Sequence, residues 1–584
     1  MRHFLRELKR RHVYRVAVTY AVVAFVTLQA AALVFPATTL AGAYDVLVLV
    51  AFVGFPIAVV LAWAFEVTPE GVRRAPDGGD GPGASAAVSV AGVLALAALL
   101  AGSAYWAWGS VRSGPGGADG ATARSSVAVL PFASLSPDAG DEYFAVGLSE
   151  ELIHALASLG GLRVTARTSA FTLGQAGLEA RQIADSLGVA TVLEGSVRRS
   201  AGRVRVTAQL IDAETGFELW SGRFERPEGE LLAVQDSMVG AIVEALEVEL
   251  GGGDRARIRA DLAAAHPTDT RAYDLYLRGR HVWLQRGDPR RALELFREAV
   301  DLEPTFARGW AGVADAYTIL GSQGTLPADE AHPAARAAAE RALELDPDLG
   351  EAHASLGAVF ADYYWEWEAA ERHLRRAIEL APSYATAHEW YAELLARLGR
   401  ADEAVRVARQ ARRVDPLSEP ARASLIHALR LAGRLDEALE EARRQLEVAP
   451  GYVFGPLNVG LVLLDMGRPG EAADRFREAV EGSGGEASAL ALLGAARARA
   501  GNPEAARRAL DELEGRGSTA PLLRAMVLTG LGEEDAALDA LEAGLEQRHW
   551  LMGTLAVEPM WDPLRDRPRF RAILDRIGLA PYAR

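Results

Sequence analysis

Hydrophobic and polar positions follow three rhythms along this chain. Near the start, Val16 to Phe35, Val46 to Phe65 and Ala86 to Trp108 are runs of about twenty mostly apolar residues, each long enough to cross a bilayer core as a helix. From Val127 the pattern becomes mixed. Val127 to Phe132 reads as a buried strand, and Tyr143 to Leu159, with Phe144, Leu148, Leu152 and Leu156 at helical spacing, as a helix. Arg163 to Arg167 reads as a short strand and Leu178 to Leu187 as a second helix. Three alternating runs follow, Thr191 to Arg198, Val204 to Ile211 and Glu218 to Phe224, separated by Ser200-Ala201-Gly202 and Glu214-Thr215-Gly216, as antiparallel strands require. A last helix, Leu231 to Leu250, completes the order β-α-β-α-β-β-β-α, which predicts a small mixed sheet with helices packed on it.

The third rhythm is that of helix pairs. A phrase closing on Asp/Ala-Pro ends at Pro304, Pro347, Pro382, Pro416 and Pro450, and the last two intervals are 34 residues each. Within each period small residues stand where two helices must approach, as in Ala292, Phe296 and Ala299, or Gly357, Ala370, Leu374 and Ala377, or Gly399, Ala404, Ala408 and Ala411. These residues resemble the tetratricopeptide repeat. The interval from Pro304 to Pro347 is 43 residues, which predicts a longer interhelical loop near Ser322 to Glu330. Gly467/Ala472/Phe476, Gly494/Gly501/Ala505 and Gly532/Ala537/Leu541 continue the rhythm to about eight pairs, and Trp561 to Leu574 reads as a last turn and capping helix. The resemblance implies binding rather than chemistry, on a concave face suited to an extended peptide or a partner helix. Alignment on the prolines puts Asp274, His281, Arg308, Asp315, Glu389, Glu393, Arg397, His427 and Arg430 on the inner faces of first helices, as candidate protein-binding positions. Clamping of a C-terminal carboxylate by Lys and Asn is argued against, because the chain has one lysine, Lys9, and its repeats carry only Asn458 and Asn502.

The middle region carries a second resemblance. SVAVLPFASLSPDAGDEYFAVGLSEEL, RVTARTSAF and VLEGSVRRSAGRVRVTAQLIDAETGFELWSGRFE, in that order, resemble the TolB N-terminal-like (FlgO-like) domain, found in bacterial proteins ahead of tetratricopeptide repeats. In related chains the module before it is a winged-helix DNA-binding domain or a nucleotide-cyclase domain. Here that place holds the apolar runs. The resemblance implies an interaction domain and supplies no catalytic residue.

The fold class expected is therefore multi-domain: an all-α transmembrane anchor of three helices, a small α/β TolB-like domain, and an α-α superhelical solenoid. The divisions are a basic tail at 1–15, spans within 16–108, a linker at 109–124, the α/β domain at 125–250, a linker at 251–270, repeats at 271–550 and a cap at 551–584. Arg2, Arg6, Lys9, Arg10, Arg11 and Arg15 before the first run, with Arg73 and Arg74 after the second, predict a cytoplasmic N-terminus in a bacterial inner membrane. Three crossings then put the α/β domain and repeats in the periplasm, among envelope proteins. Ala97, Ala98, Ala101 and Gly102 would permit self-association through the third span.

Composition narrows the chemistry. Zero cysteines exclude disulfides, thiol nucleophiles and Cys-ligated metals. A formal charge of −16 opposes a nucleic-acid partner. Neither phosphate cradle occurs, no G-x-S-x-G elbow is present, and no cofactor is implied. His388-Glu389 begins like a zincin helix, but no histidine follows where a second ligand is needed, and Glu393 stands nearby. His353, His373 and His388 could gather across adjacent repeats and bind zinc, although packing histidines are commoner. Three functional readings stay open: a non-enzymatic membrane-anchored scaffold or adaptor, a transmembrane signalling component, and an enzyme with an unrecognised site.

Overall fold

A computed structural model describes residues 65–68, 71–74 and 126–582, except 137, 139–140, 158–161, 228–230, 246–267, 285–287, 323 and 516–520. The described residues fall into two units divided at Gly120. In the first, β1 (Phe65–Thr68) and β2 (Gly71–Arg74) form an antiparallel hairpin that pairs Phe65 with Arg74.

The second unit begins with an α/β domain. Its strands are β3 (Ser126–Val129), β4 (Ala133–Ser134), β5 (Arg163–Val164), β6 (Thr191–Ser200), β7 (Arg203–Asp212) and β8 (Glu218–Pro227), in the order β5-β3-β6-β7-β8, with β4 also on β6. The short strands β3 and β5 are parallel neighbours, and β6, β7 and β8 form an antiparallel meander whose alternation Val204, Val206, Ala208, Leu210 is fully buried on one face. Helices α1 (Glu142–Ala157), α2 (Arg167–Gly174), α3 (Ala180–Leu187) and α4 (Leu231–Ala245) pack on it.

Helix α2 departs from expectation. The strand read over Arg163 to Arg167 ends at Val164, and Arg167 opens a helix. Its residues Thr168 and Thr172 favour strands, and tertiary contacts override that preference.

Eight antiparallel helix pairs follow. They are α5 (Thr270–Leu284) with α6 (Pro289–Leu302), α7 (Ala307–Ser322) with α8 (Ala328–Leu345), α9 (Gly350–Val359) with α10 (Trp367–Leu380), and α11 (Ala385–Arg397) with α12 (Ala401–Val414). Then come α13 (Glu419–Leu431) with α14 (Leu435–Val448), α15 (Gly455–Asp465) with α16 (Pro469–Gly482), α17 (Ala487–Arg499) with α18 (Pro503–Gly515), and α19 (Pro521–Leu531) with α20 (Glu534–Glu546). Within four successive pairs the chain turns on a glycine in the left-handed region, Gly399, Gly433, Gly467 and Gly501, with φ of 69°, 73°, 73° and 81°. The first helix then lies so close to the second that a Cβ at Gly460 would sit 2.5 Å from the Phe476 ring. In the second pair the extra residues lengthen both helices, to 16 and 18 residues, rather than the loop alone. Between α9 and α10, a π-turn over Phe360–Tyr364 ends on Trp365 at φ 58°.

The last segment, two 3-10 turns, Trp550–Thr554 and Pro559–Leu564, with α21 (Pro568–Arg576), packs on the last helix pair and also reaches back to earlier ones. Arg569 of α21 pairs with Asp539 and Glu542 of α20. Trp367 donates its indole N–H to the carbonyl of Ile577 at 2.7 Å, 210 residues away, Arg548 donates to the Tyr363 carbonyl at 2.9 Å, and Arg499 to that of Met560 at 3.0 Å. Met552, Leu555, Trp561, Leu564 and Phe570 are essentially inaccessible to solvent. At about 1.5–3 kcal/mol for each large buried side chain, this segment is a permanent wall rather than a displaceable cover.

The membrane expectation is corrected. The runs at 16–35, 46–65 and 86–108 lie outside the described residues except for Phe65, which is in β1. Among the described residues no helix is long and apolar enough to cross a membrane. The 18-residue α8, for example, carries Asp329, Glu330, Arg336, Glu340, Arg341 and Glu344. A multi-pass inner-membrane protein with a bilayer partner and an exported C-terminal part does not fit this finding, and the envelope partners that rested on it fall with it.

Candidate functional site

The inner face is built by first helices whose polar residues recur at three- and four-residue spacing, so each helix presents one stripe. On α5 the stripe includes Asp274 and His281, on α7 Arg308 and Asp315, on α11 Glu389, Glu393 and Arg397, and on α13 His427 and Arg430. What each stripe meets differs along the solenoid.

Over the first three pairs it meets α1 of the α/β domain. Asp274 accepts a hydrogen bond from the Tyr143 hydroxyl and lies 3.6 Å from Arg199. Burial first, and then the Asp274 carboxylate, push the Tyr143 hydroxyl up to about 12. Arg308 is buried in an ion pair with Glu151. Glu150 is paired with Arg167 and stands 3.8 Å from Arg280, and His154 lies 3.0 Å from Glu351. Asp315 is buried and accepts from Ser355, and burial pushes its carboxyl up to about 6. His281 has a buried Nδ1 with no hydrogen-bond partner, and burial lowers its pKa. The seal continues at α2, where Ser169 donates to Asp415 at 2.5 Å and accepts from the Leu417 N–H at 2.8 Å.

Over the later pairs the stripe meets the C-terminal segment. Arg430 donates to Asp465 at 2.6 Å and to Glu558 at 2.5 Å, and His427 Nε2 is 3.1 Å from the same Glu558. Burial alone would raise the Glu558 carboxyl, but Arg430 and His427 outweigh it and hold it well below the usual carboxylate range. Arg397 donates to Asp362 at 2.6 Å and stacks over the Trp550 ring with 5.9 Å to its centroid.

On α11, α13 and α15 part of the inner face stays open. A pocket of about 320 Å³ is lined by Glu389, Trp390, Glu393, Ser424, Tyr452 and Asn458, together with His427 and Arg430. A smaller one, about 140 Å³, shares the Trp390 and Glu393 walls and reaches Arg397 and Trp550. Glu389 accepts from the Ser418 hydroxyl at 3.2 Å. Thus Glu389, Glu393, His427 and Arg430 of the nine expected positions come together at one opening, and Asp274, Arg308 and Asp315 are occupied within the chain. Trp390, Ser424 and Tyr452 were missed by sequence reasoning. The helical spacing of inner-face positions could not reveal Tyr452, which comes from the loop after the repeat's proline.

The histidines separate. His353 and His373 touch through Nδ1 at 2.9 Å, while His388 is apart from that contact, with its Nε2 3.1 Å or less from a carbonyl, namely 2.9 Å from that of Pro382. His353 Nε2 is 3.1 Å from the Pro347 carbonyl, and Trp310 Nε1 donates to that of Pro304 at 3.1 Å. All three stand six residues after a repeat-ending proline, so they close the turn between repeats. Among the described residues no group of three or more metal-ligating side chains is gathered, so the zinc cluster and the zincin-like reading find no geometry.

Comparison with known proteins adds to this geometry. The family model described as a tetratricopeptide repeat matches residues 457–521, and that of a bacterial transcriptional activator domain matches residues 321–448. A Rhizobium meliloti protein named as an adenylate cyclase is 34% identical over 261 residues, which are 44% of this chain and 37% of that protein. The chain thus spans little more than a third of that relative's length. Among solved structures, a repeat protein of Thermus thermophilus is 21% identical over 33% of this chain and 99% of its own, with a TM-score of 0.29. One from Parabacteroides merdae is 17% identical over 44% and 98%, with a TM-score of 0.34. The chain carries tetratricopeptide repeats in a helical solenoid, joined to a small sheet region, and such repeats generally mediate protein–protein interaction.

Proposed function

We propose that this chain is a non-catalytic adaptor that holds a partner protein at the inner face between α11 and α15. The observation that carries this reading is the 320 Å³ opening lined by α11, α13, Tyr452 and α15. A solenoid offers extended area for binding, and here most of that area is used internally, which concentrates recognition on one opening. The order of strands and helices at 126–245 supports reading this domain as TolB N-terminal-like, and its role is then to seal the first repeats rather than to act alone.

An enzymatic reading has less support. The relative named as a cyclase matches less than half of this chain, and the likeness is read as a shared interaction portion attached to different modules. The activator-domain match falls inside the helix pairs, and a charge of −16 opposes direct contact with DNA.

A photoreactive residue placed at Ala423, on the pocket wall, tests the proposal against one at Arg372, an exposed second-helix position. A discrete cross-linked protein from Ala423 alone is the expected result. The same adducts from both positions, or none from Ala423, would overturn it.

A further inference from the structure

We propose that the opening between α11, α13 and α15 receives a cationic side chain, arginine or lysine, from a segment of the partner protein. This rests on the adaptor reading and deepens it by naming what the partner must present.

Charge pairing comes first. Every guanidinium at the opening is already committed: Arg430 to Asp465 and Glu558, and Arg397 to Asp362. His427 likewise faces Glu558 at 3.1 Å. An incoming carboxylate would find no free cation there. Glu393 is in the opposite position, since the guanidinium nearest to it stands off at 3.9 Å, through Arg397 Nη2, while Nη1 of the same group donates to Asp362 at 2.6 Å. Although 40% of its side chain reaches solvent, burial in the concavity holds its carboxyl above the usual range, outweighing Arg397 and His427, which favour its ionised form.

A second, independent observation points the same way. Ser424 is 5% exposed, lines the opening, and its hydroxyl has no hydrogen-bond partner. An orphaned buried hydroxyl costs about 1–3 kcal/mol, and a guanidinium or ammonium N–H would satisfy its oxygen. The walls also suit this ligand, because Trp390 and Tyr452 offer aromatic surface to a cation.

The test uses the full chain and short fluorescent peptides that differ at one central residue: arginine, lysine, citrulline or glutamate. Fluorescence anisotropy should show the arginine and lysine peptides binding about tenfold or more tightly than the neutral citrulline one, with the glutamate peptide weakest. Glu393→Gln should abolish that preference. Ser424→Ala should weaken the arginine peptide several-fold without lowering the thermal midpoint, an outcome a merely structural role would not produce. Equal affinity for arginine and citrulline, or unchanged selectivity in Glu393→Gln, would overturn the proposal, as would a free polyamine binding better than any peptide. Absence of peptide binding with the Ala423 cross-link intact sinks the cation inference alone, and loss of both sinks the adaptor reading as well.

Discussion

Over the first three helix pairs the inner face meets another helix, and it meets it with charge: Arg308 on Glu151, Arg280 and Arg167 around Glu150, and Glu351 on His154. Over the later pairs it meets irregular turns carrying Leu555, Trp561 and Leu564, with Glu558 clamped by both Arg430 and His427. The two fillings do different work. Buried ion pairs set register and orientation while returning little net stability, because desolvation consumes most of the Coulombic gain. Apolar burial returns stability and is less particular about angle. The α/β domain is therefore aimed at the solenoid, and the C-terminal segment is fastened to it.

Breaking the charged side should have the largest effect. Glu151→Ala leaves Arg308 buried and unpaired and should cost about 3–5 kcal/mol in urea unfolding. The pair replaced together, Glu151→Leu with Arg308→Met, should recover most of that loss. If the double variant is as unstable as the single, the charges contribute stability and the contrast fails.

On the apolar side, Leu564→Ala should cost about 2–5 kcal/mol, the range for removing a fully buried leucine. Hydrogen exchange should then speed up in α19 and α20, against which that turn packs, and not in α5 to α7. Uniform acceleration would mean that the two fillings act as one.

Two smaller effects come from titration. Burial raises Asp315 from an ordinary 3.8 to about 6, so folding disfavours its charged form. That cost is complete above pH 6 and vanishes below about pH 4, and Asp315→Asn should raise the thermal midpoint at pH 8 but not at pH 3.5. His373 moves the other way. Burial, then the neighbouring His353 and Arg372, lower it to about 4 from 6.5, and Glu340 opposes this only in part. Its contribution is present above pH 6.5 and is lost as pH falls toward 4. His373→Gln should flatten the melting curve's pH dependence across that window, and an unchanged slope would remove His373 from the account.

Much of the architecture was legible because it is local. The prolines and the 34-residue glycine spacing announce helix pairs, since a left-handed turn and a close helix approach depend on residues a few positions apart. The alternation at 204–210 announces a one-sided sheet in the same way. The inner-face stripes were also legible, but not what fills them. Asp274 meets Tyr143 across 131 residues, Arg308 meets Glu151 across 157, and Arg430 meets Glu558 across 128, and no spacing rule reaches that far. The histidines mark a signal that was present and unread: a ring six residues after a proline repeats at Trp310, His353 and His388, as a turn-closing device would.

The bond from Trp367 to the carbonyl of Ile577 also bears on how the chain comes into being. The helix pairs pack on their sequence neighbours, so they can fold in the order in which they leave the ribosome. The lining of the solenoid's concave side waits for the turn after α21, 210 residues further on. At a synthesis rate of about 5–20 residues per second, that is an interval of roughly 10–40 s during which apolar positions such as Trp367 stand uncovered. A nascent chain in that interval is the form a chaperone would meet, and a message truncated before Trp561 would prolong it indefinitely.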